Sequence, residues 1–94
     1  MFIVILKYIK PLTEIEKFLE AHRSFLDKYY DFNDLVCSGP KNPRDGGVIL
    51  ARTKDRSALE KILDEDPFKI NQIATYDIVE FTPVKFSKAF EGCL

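Results

Sequence analysis

The chain has one histidine, His22, in the stretch LEAHRSFL between Leu19 and Leu26. An imidazole titrates near pH ~6.5, so it can take or deliver a proton near neutrality without extreme tuning. It becomes a directed reagent when a carboxylate holds one ring nitrogen, fixing the tautomer and leaving the other nitrogen free. Asp66, in the triplet Asp66-Pro67-Phe68, is the candidate carboxylate. Both residues also have purely structural readings. A histidine on an apolar helical face is commonly a core residue with one nitrogen bonded. An aspartate before proline is commonly a helix N-cap, with the proline in the first helical position. Asp64, two residues earlier, reads as a solvated helical carboxylate.

Around this pair lie groups able to hold an anion. Arg44 offers a planar two-pronged donor for a carboxylate or oxyanion, and reads equally as a solvated loop arginine. Ser38 and Gly39-Pro40 close a short strand, where they make either an ordinary turn or a place for a ligand to approach the backbone. Cys37 could in principle pair with a histidine as a nucleophile. Alternation along LVCSG instead groups Leu35, Cys37 and Gly39 on one side, which suits an inert, buried thiol. One histidine, an aspartate and the scattered Cys37 and Cys93 make no recognisable metal-ligand set, and nothing calls for a cofactor.

The elements that must position these residues follow from hydrophobic spacing. FIVIL, Phe2 to Leu6, shows no polar alternation and reads as a strand buried on both faces. From Pro11 to Tyr30 the pattern is helical. Thr13 and Glu16 form a capping box, and Ile15, Phe18, Leu19, His22, Phe25, Leu26 and Tyr29 share one face. LVCSG, Leu35 to Gly39, is a second strand, KNPRDGG a loop, and Gly46 to Thr53 a third strand. Ser57 and Glu60 repeat the capping box ahead of a short helix that Asp66-Pro67 ends. Ile73 to Phe81 is the fourth strand, and the pattern from Pro83 onward selects no element.

The order strand, helix, strand, strand, helix, strand is the split βαβ arrangement of a ferredoxin-like α+β fold with an antiparallel sheet. Both helices then cover one face of the sheet, which places Asp66, at the exit of the second helix, to approach His22 on the first. The other face of FIVIL and GVILA stays wet in a monomer. In a chain of eight phenylalanines that apolar patch is large, and it predicts a symmetric homodimer packed sheet against sheet.

Bulk properties narrow the function classes. Ninety-four residues, 46% of them apolar, make one domain over residues 1–94. Fourteen basic and fifteen acidic residues give a net charge of −1 without a charged run, so neither nucleic acid nor an anionic membrane is an expected partner. FIVIL is far short of a membrane span, and Lys7 and Lys10 follow it where a signal peptide needs its charge first. Two cysteines are a poor disulfide framework. A cytoplasmic protein with a small-molecule ligand is the expectation.

Several of these motifs together resemble the YciI-like (YCII-related) family. They are His22-Arg23, Ser38-Gly39-Pro40, Pro43-Arg44 with Gly46-Gly47 opening GGVILA, Asp66-Pro67-Phe68, and the closing YDIVEFTPVK. They run in order from Phe2 to about Phe86, which is more specific than any one of them. The resemblance implies a ferredoxin-like subunit that dimerises as an α+β barrel, with an active site built on a histidine and an aspartate, by motif position His22 and Asp66. Ser38, Gly39, Pro40, Arg44 and Phe68 are then the substrate-binding candidates. Relatives are associated with degradation of chlorinated aromatics, and the similar muconolactone isomerases act on small aromatic-derived acids. One departure is visible: the family often carries a glycine shortly after Asp-Pro-Phe, and this chain has Asn71-Gln72. A glutamine there is expected to narrow the cavity or add a hydrogen bond.

Three functions are open to such a chain. The first is a lyase or isomerase in which His22 and Asp66 move a proton on a small cyclic or enolisable, anionic metabolite. The second is a metabolite-binding dimer in which the pair only supplies hydrogen bonds. In the third, the pair is a structural contact locking the two helices together.

Overall fold

The computed structural model describes all 94 residues, Met1–Leu94. Four strands, β1 (Phe2–Tyr8), β2 (Leu35–Pro40), β3 (Gly46–Ala51) and β4 (Ala74–Glu80), form one antiparallel sheet in the order β2-β3-β1-β4. Four helices join them: α1 (Leu12–Lys17), α2 (Leu19–Asp31), α3 (Arg56–Leu63) and the four-residue α4 (Pro67–Ile70). This is the ferredoxin-like order read from the sequence, with two elements divided.

The predicted first helix is two. Phe18, at φ −110° and ψ 4°, leaves the helical region, and its amide bonds Ile15 three residues back rather than four. The predicted caps also move. Pro11 occupies the N-cap of α1 without a side-chain bond, which leaves Thr13 already inside the helix. Asp55 caps α3 by accepting from the Ala58 amide, which places Ser57 inside it. In both places the chain turns helical earlier than the capping-box pattern suggests. The tail, unassigned from sequence, holds a 3-10 helix at Lys88–Cys93.

β1 is not buried on both faces. Phe2, Val4 and Leu6 are buried beneath the helices, whereas Ile3 and Ile5 are half-buried on the opposite face, which no helix covers. Two-residue periodicity carries this division across the sheet. One row on the covered face runs Pro40, Gly47, Leu6, Tyr76, and one on the bare face runs Cys37, Leu50, Ile3, Val79.

A bulge sets which residues of β2 face the helices. Leu35 pairs with Ala51 and Cys37 with the very next residue of β3, Leu50, so Val36 is the extra residue. The slip overturns the expectation of a buried Cys37. Its thiol leaves the side of Leu35 and is exposed on the bare face. Ser38, opposite the buried Ile49, turns to the covered face instead. Gly46 is required for a different reason: a Cβ there would stand 1.8 Å from the Leu6 carbonyl oxygen.

Candidate active site

Asp66 is fully buried and sits between α3 and α4, three residues beyond the end of α3. It is the N-cap of α4, with Pro67 in the first turn, as the structural reading of Asp-Pro has it. It is also the partner of His22. Its Oδ1 accepts from the Phe68 amide at 3.0 Å and pairs with His22 Nδ1 at 2.7 Å. Its Oδ2 accepts from the Tyr76 hydroxyl at 2.5 Å. Three donors thus offset the cost of burying the carboxylate.

These bonds set which ring nitrogen is engaged and which is open. An ionised carboxylate only accepts, so the ring hydrogen facing Asp66 is on Nδ1 and the neutral ring leaves Nε2 as an acceptor. No protein group bonds Nε2, and no buried side-chain nitrogen or oxygen lacks a partner, so Nε2 is an open position. The Phe68 ring lies parallel to the imidazole at 3.9 Å and 2°. One short motif therefore supplies the carboxylate, the proline that starts the turn, and the ring that fixes the plane of the histidine.

Both ends of α4 are tied down. The Ile73 amide bonds the Phe68 carbonyl and the Gln72 amide bonds that of Lys69, a Schellman ending with Gln72 at φ 55°. This left-handed backbone is a reason for glycine at this position, and nothing in the structure explains the glutamine that replaces it. The site favours a left-handed residue, and Gln72 is exposed and does not line the cavity, so it neither narrows it nor bonds within it. The residue before Asp66 provides a second anchor: Glu65 accepts from Lys28 at 2.8 Å and from the Tyr29 hydroxyl. These bonds hold the Glu65 carboxyl below its ordinary range, the Lys28 bond contributing most. α2 thus grips the α3–α4 junction at His22 and, two turns on, at Tyr29.

His22 lines a cavity of about 530 Å³ between α2 and the β2–β3 end of the sheet. The other predicted residues Ser38, Gly39, Pro40, Arg44 and Phe68 line it too, whereas Asp66 stands behind the imidazole. Leu6, Tyr8, Leu19, Leu26 and Ile49 make much of its apolar wall. Gly47 belongs to the covered face, so its lack of a side chain leaves that part of the wall low. The Ser38 hydroxyl shares a hydrogen bond with Tyr30 at 2.5 Å. Arg44 is 3.6 Å from Glu16 in an exposed ion pair.

Two residues here were not predicted for these roles. Tyr76 completes the ring of donors around Asp66. Burial, reinforced by the neighbouring carboxylate, holds its hydroxyl far above the ordinary tyrosine range, so it remains a donor. The alternation of β4 carries a signal for it, since Tyr76 shares a side with Ala74 and Ile78, but nothing local points to Asp66. Arg23 also lines the cavity. Its signal is its spacing, four residues after Leu19 and three before Leu26.

Comparison with known proteins adds fold and family. A search of curated proteins finds no match. Among solved structures, the chain is similar to 5-chloro-2-hydroxyhydroquinone dehydrochlorinase from Burkholderia phenoliruptrix AC1100, in complex with 2,5-dihydroxybenzoquinone. The TM-score is 0.72 at 14% identity, covering 87% of this chain and 94% of that one. At that identity the likeness establishes the fold. The YCII-related domain model matches residues 1–82, and the chain belongs to that family.

Proposed function

We propose that the protein is a small-molecule enzyme of lyase or isomerase type, with His22 as general acid–base and Asp66 as the carboxylate that orients it. The observation that carries this is the asymmetry of the imidazole: Nδ1 is held by a buried carboxylate while Nε2 is unpartnered on a ring that lines the cavity. Nε2 takes a proton from an enolisable C–H, and the C–H bonding electrons become an enolate. Asp66 stabilises the resulting imidazolium. The proton then returns at another carbon, or a leaving group departs with its bonding electrons. Ser38, Arg44 and the backbone at Gly39 hold the substrate's oxygens, and the apolar wall takes its ring. That a protein of the same fold is a dehydrochlorinase solved with a quinone supports a small cyclic substrate.

The subunit is proposed to work as a homodimer closed over its bare face, where Ile3, Ile5, Leu50 and Val79 have no cover within the chain.

The test is turnover of chlorinated hydroxyquinols and small cyclic keto acids by wild type, His22→Gln and Asp66→Asn. His22→Gln is expected to lower kcat by about 10²–10⁴-fold with affinity largely kept. Loss of affinity alone would make the protein a binder. The burial of His22 and its stack on Phe68 favour a structural contact as the rival. On that reading His22→Gln lowers stability and leaves turnover unchanged.

A further inference from the structure

α2 presents Leu19, His22, Arg23 and Leu26 to the cavity, the spacing of one helical face. Three of these suit a wall against a core and Arg23 does not. An arginine in an apolar stripe usually extends its charge to water or pairs it. Arg23 is exposed and makes no ion pair or side-chain hydrogen bond, so its charge stands in water at the edge of the cavity with no carboxylate to displace.

The second cation of the cavity is Arg44, and no aspartate or glutamate lines it. Two arginines therefore line one cavity in a chain of net charge −1. Arg44 is only loosely committed. Its contact with Glu16 is 3.6 Å long, and the two side chains are 37% and 60% exposed. An exposed pair of this kind is worth little and is easily exchanged for a better one. Leu19 and Leu26 beside Arg23, with Leu6 on the sheet, favour an organic body over a bare inorganic ion.

We infer that Arg23 is the anion-selecting residue of the cavity and that its ligand is a small organic oxyanion, a carboxylate or an enolate. Arg44 leaves Glu16 to become the second donor. Arg23 and His22 both line this cavity, so a ligand whose oxyanion is held by the guanidinium sits in the same cavity as Nε2. This rests on the cavity being the small-molecule site proposed above, and it adds Arg23 as the residue that reads the charge of the substrate.

Paired acids and their neutral amides test the inference: benzoate against benzamide, and succinate against succinamide. Each is titrated into the protein while the His22 ring proton resonances are followed, which a single histidine makes unambiguous. At least one acid is expected to shift His22 at roughly 10- to 100-fold lower concentration than its amide. Arg23→Gln removes that advantage, Arg23→Lys keeps part of it, and added salt weakens the acid alone. The inference is overturned if neither acid surpasses its amide, or if Arg23→Gln binds the preferred acid as tightly as wild type. The acid–base reading fails separately, through unchanged turnover in His22→Gln, so each result identifies which idea was wrong.

Discussion

On the covered face of the sheet, the row Pro40, Gly47, Leu6, Tyr76 contributes three residues to the cavity wall and one donor to the carboxylate behind His22. On the bare face, the row Cys37, Leu50, Ile3, Val79 has no helix above it, and Val79 is 47% exposed. The same strands make both rows, one residue out of phase. The covered face tolerates a buried charge because every polar atom there has a partner or opens on the cavity. The bare face is apolar at Ile3, Ile5, Val48, Leu50 and Val79 and carries Asp77, Thr75 and Lys7 toward one end, an apolar centre with polar neighbours of the kind that packs against a copy of itself. On the function proposed above, specific chemistry belongs to the first and association to the second.

The comparison breaks most completely at assembly. Val79→Lys places a charge on the bare face without touching the cavity. It is expected to convert a dimer to a monomer by light scattering, and to abolish the concentration dependence of thermal unfolding. If the wild type is already monomeric, the bare face has some other use. The covered face breaks at Phe68, which is 1% exposed. Phe68→Ala removes the ring stacked on His22 and is expected to cost about 3–5 kcal/mol in denaturant unfolding. A loss below ~1 kcal/mol would mean that the stack is not part of the core.

How much of this division was legible in the sequence depended on range. The apolar stripe of α2 is local and was readable, as were Asp66 and Pro67 as a helix start, whereas β1, apolar at every position from Phe2 to Leu6, read as buried on both faces because nothing in its residue types tells the covered face from the bare one. The helix–strand order gave the fold. The bulge at Val36 was not readable, because a slip of register depends on the partner strand, and missing it reversed the facing of Cys37 and Ser38. The break at Phe18 is also silent in a stripe that continues through it. Arg23 was in plain view within LEAHRSFL, but an arginine is read as surface until a cavity is seen beside it. The link from Tyr76 to Asp66 belongs to the tertiary fold alone.

Tyr76 sharpens the covered face by its response to pH. Its folded-state pKa is raised above the unfolded value of 10.0, first by burial and then by Asp66. Its contribution is therefore complete below about pH 10, and is lost as pH rises beyond that, where the unfolded chain releases the proton and the folded chain retains it. Tyr76→Phe also strips a donor from a buried carboxylate, so it should cost about 1.5–3 kcal/mol at pH 8. Unfolding at pH 8 and pH 11 should show the gap between wild type and Tyr76→Phe narrowing at the higher pH. A gap that widens would reverse the assigned direction.

The smallest effect tests the support beneath the site. Gln72 holds a left-handed backbone, φ 55°, in the turn that ends α4 and leads into β4. A side chain is disfavoured in that conformation, and glycine accepts it without steric penalty. Gln72→Gly is therefore expected to stabilise the fold by about 1 kcal/mol, less the entropy that glycine adds to the unfolded chain. Because Gln72 is exposed and outside the cavity wall, turnover and ligand affinity should stay unchanged. Its counterpart is Asn33, at φ 61° in the same kind of turn after α2. Asparagine already tolerates that region, so Asn33→Gly should gain less than Gln72→Gly. Equal gains at the two positions would show that the side chain at 72 costs nothing beyond the ordinary, and that the family's preference for glycine there has a cause other than backbone conformation.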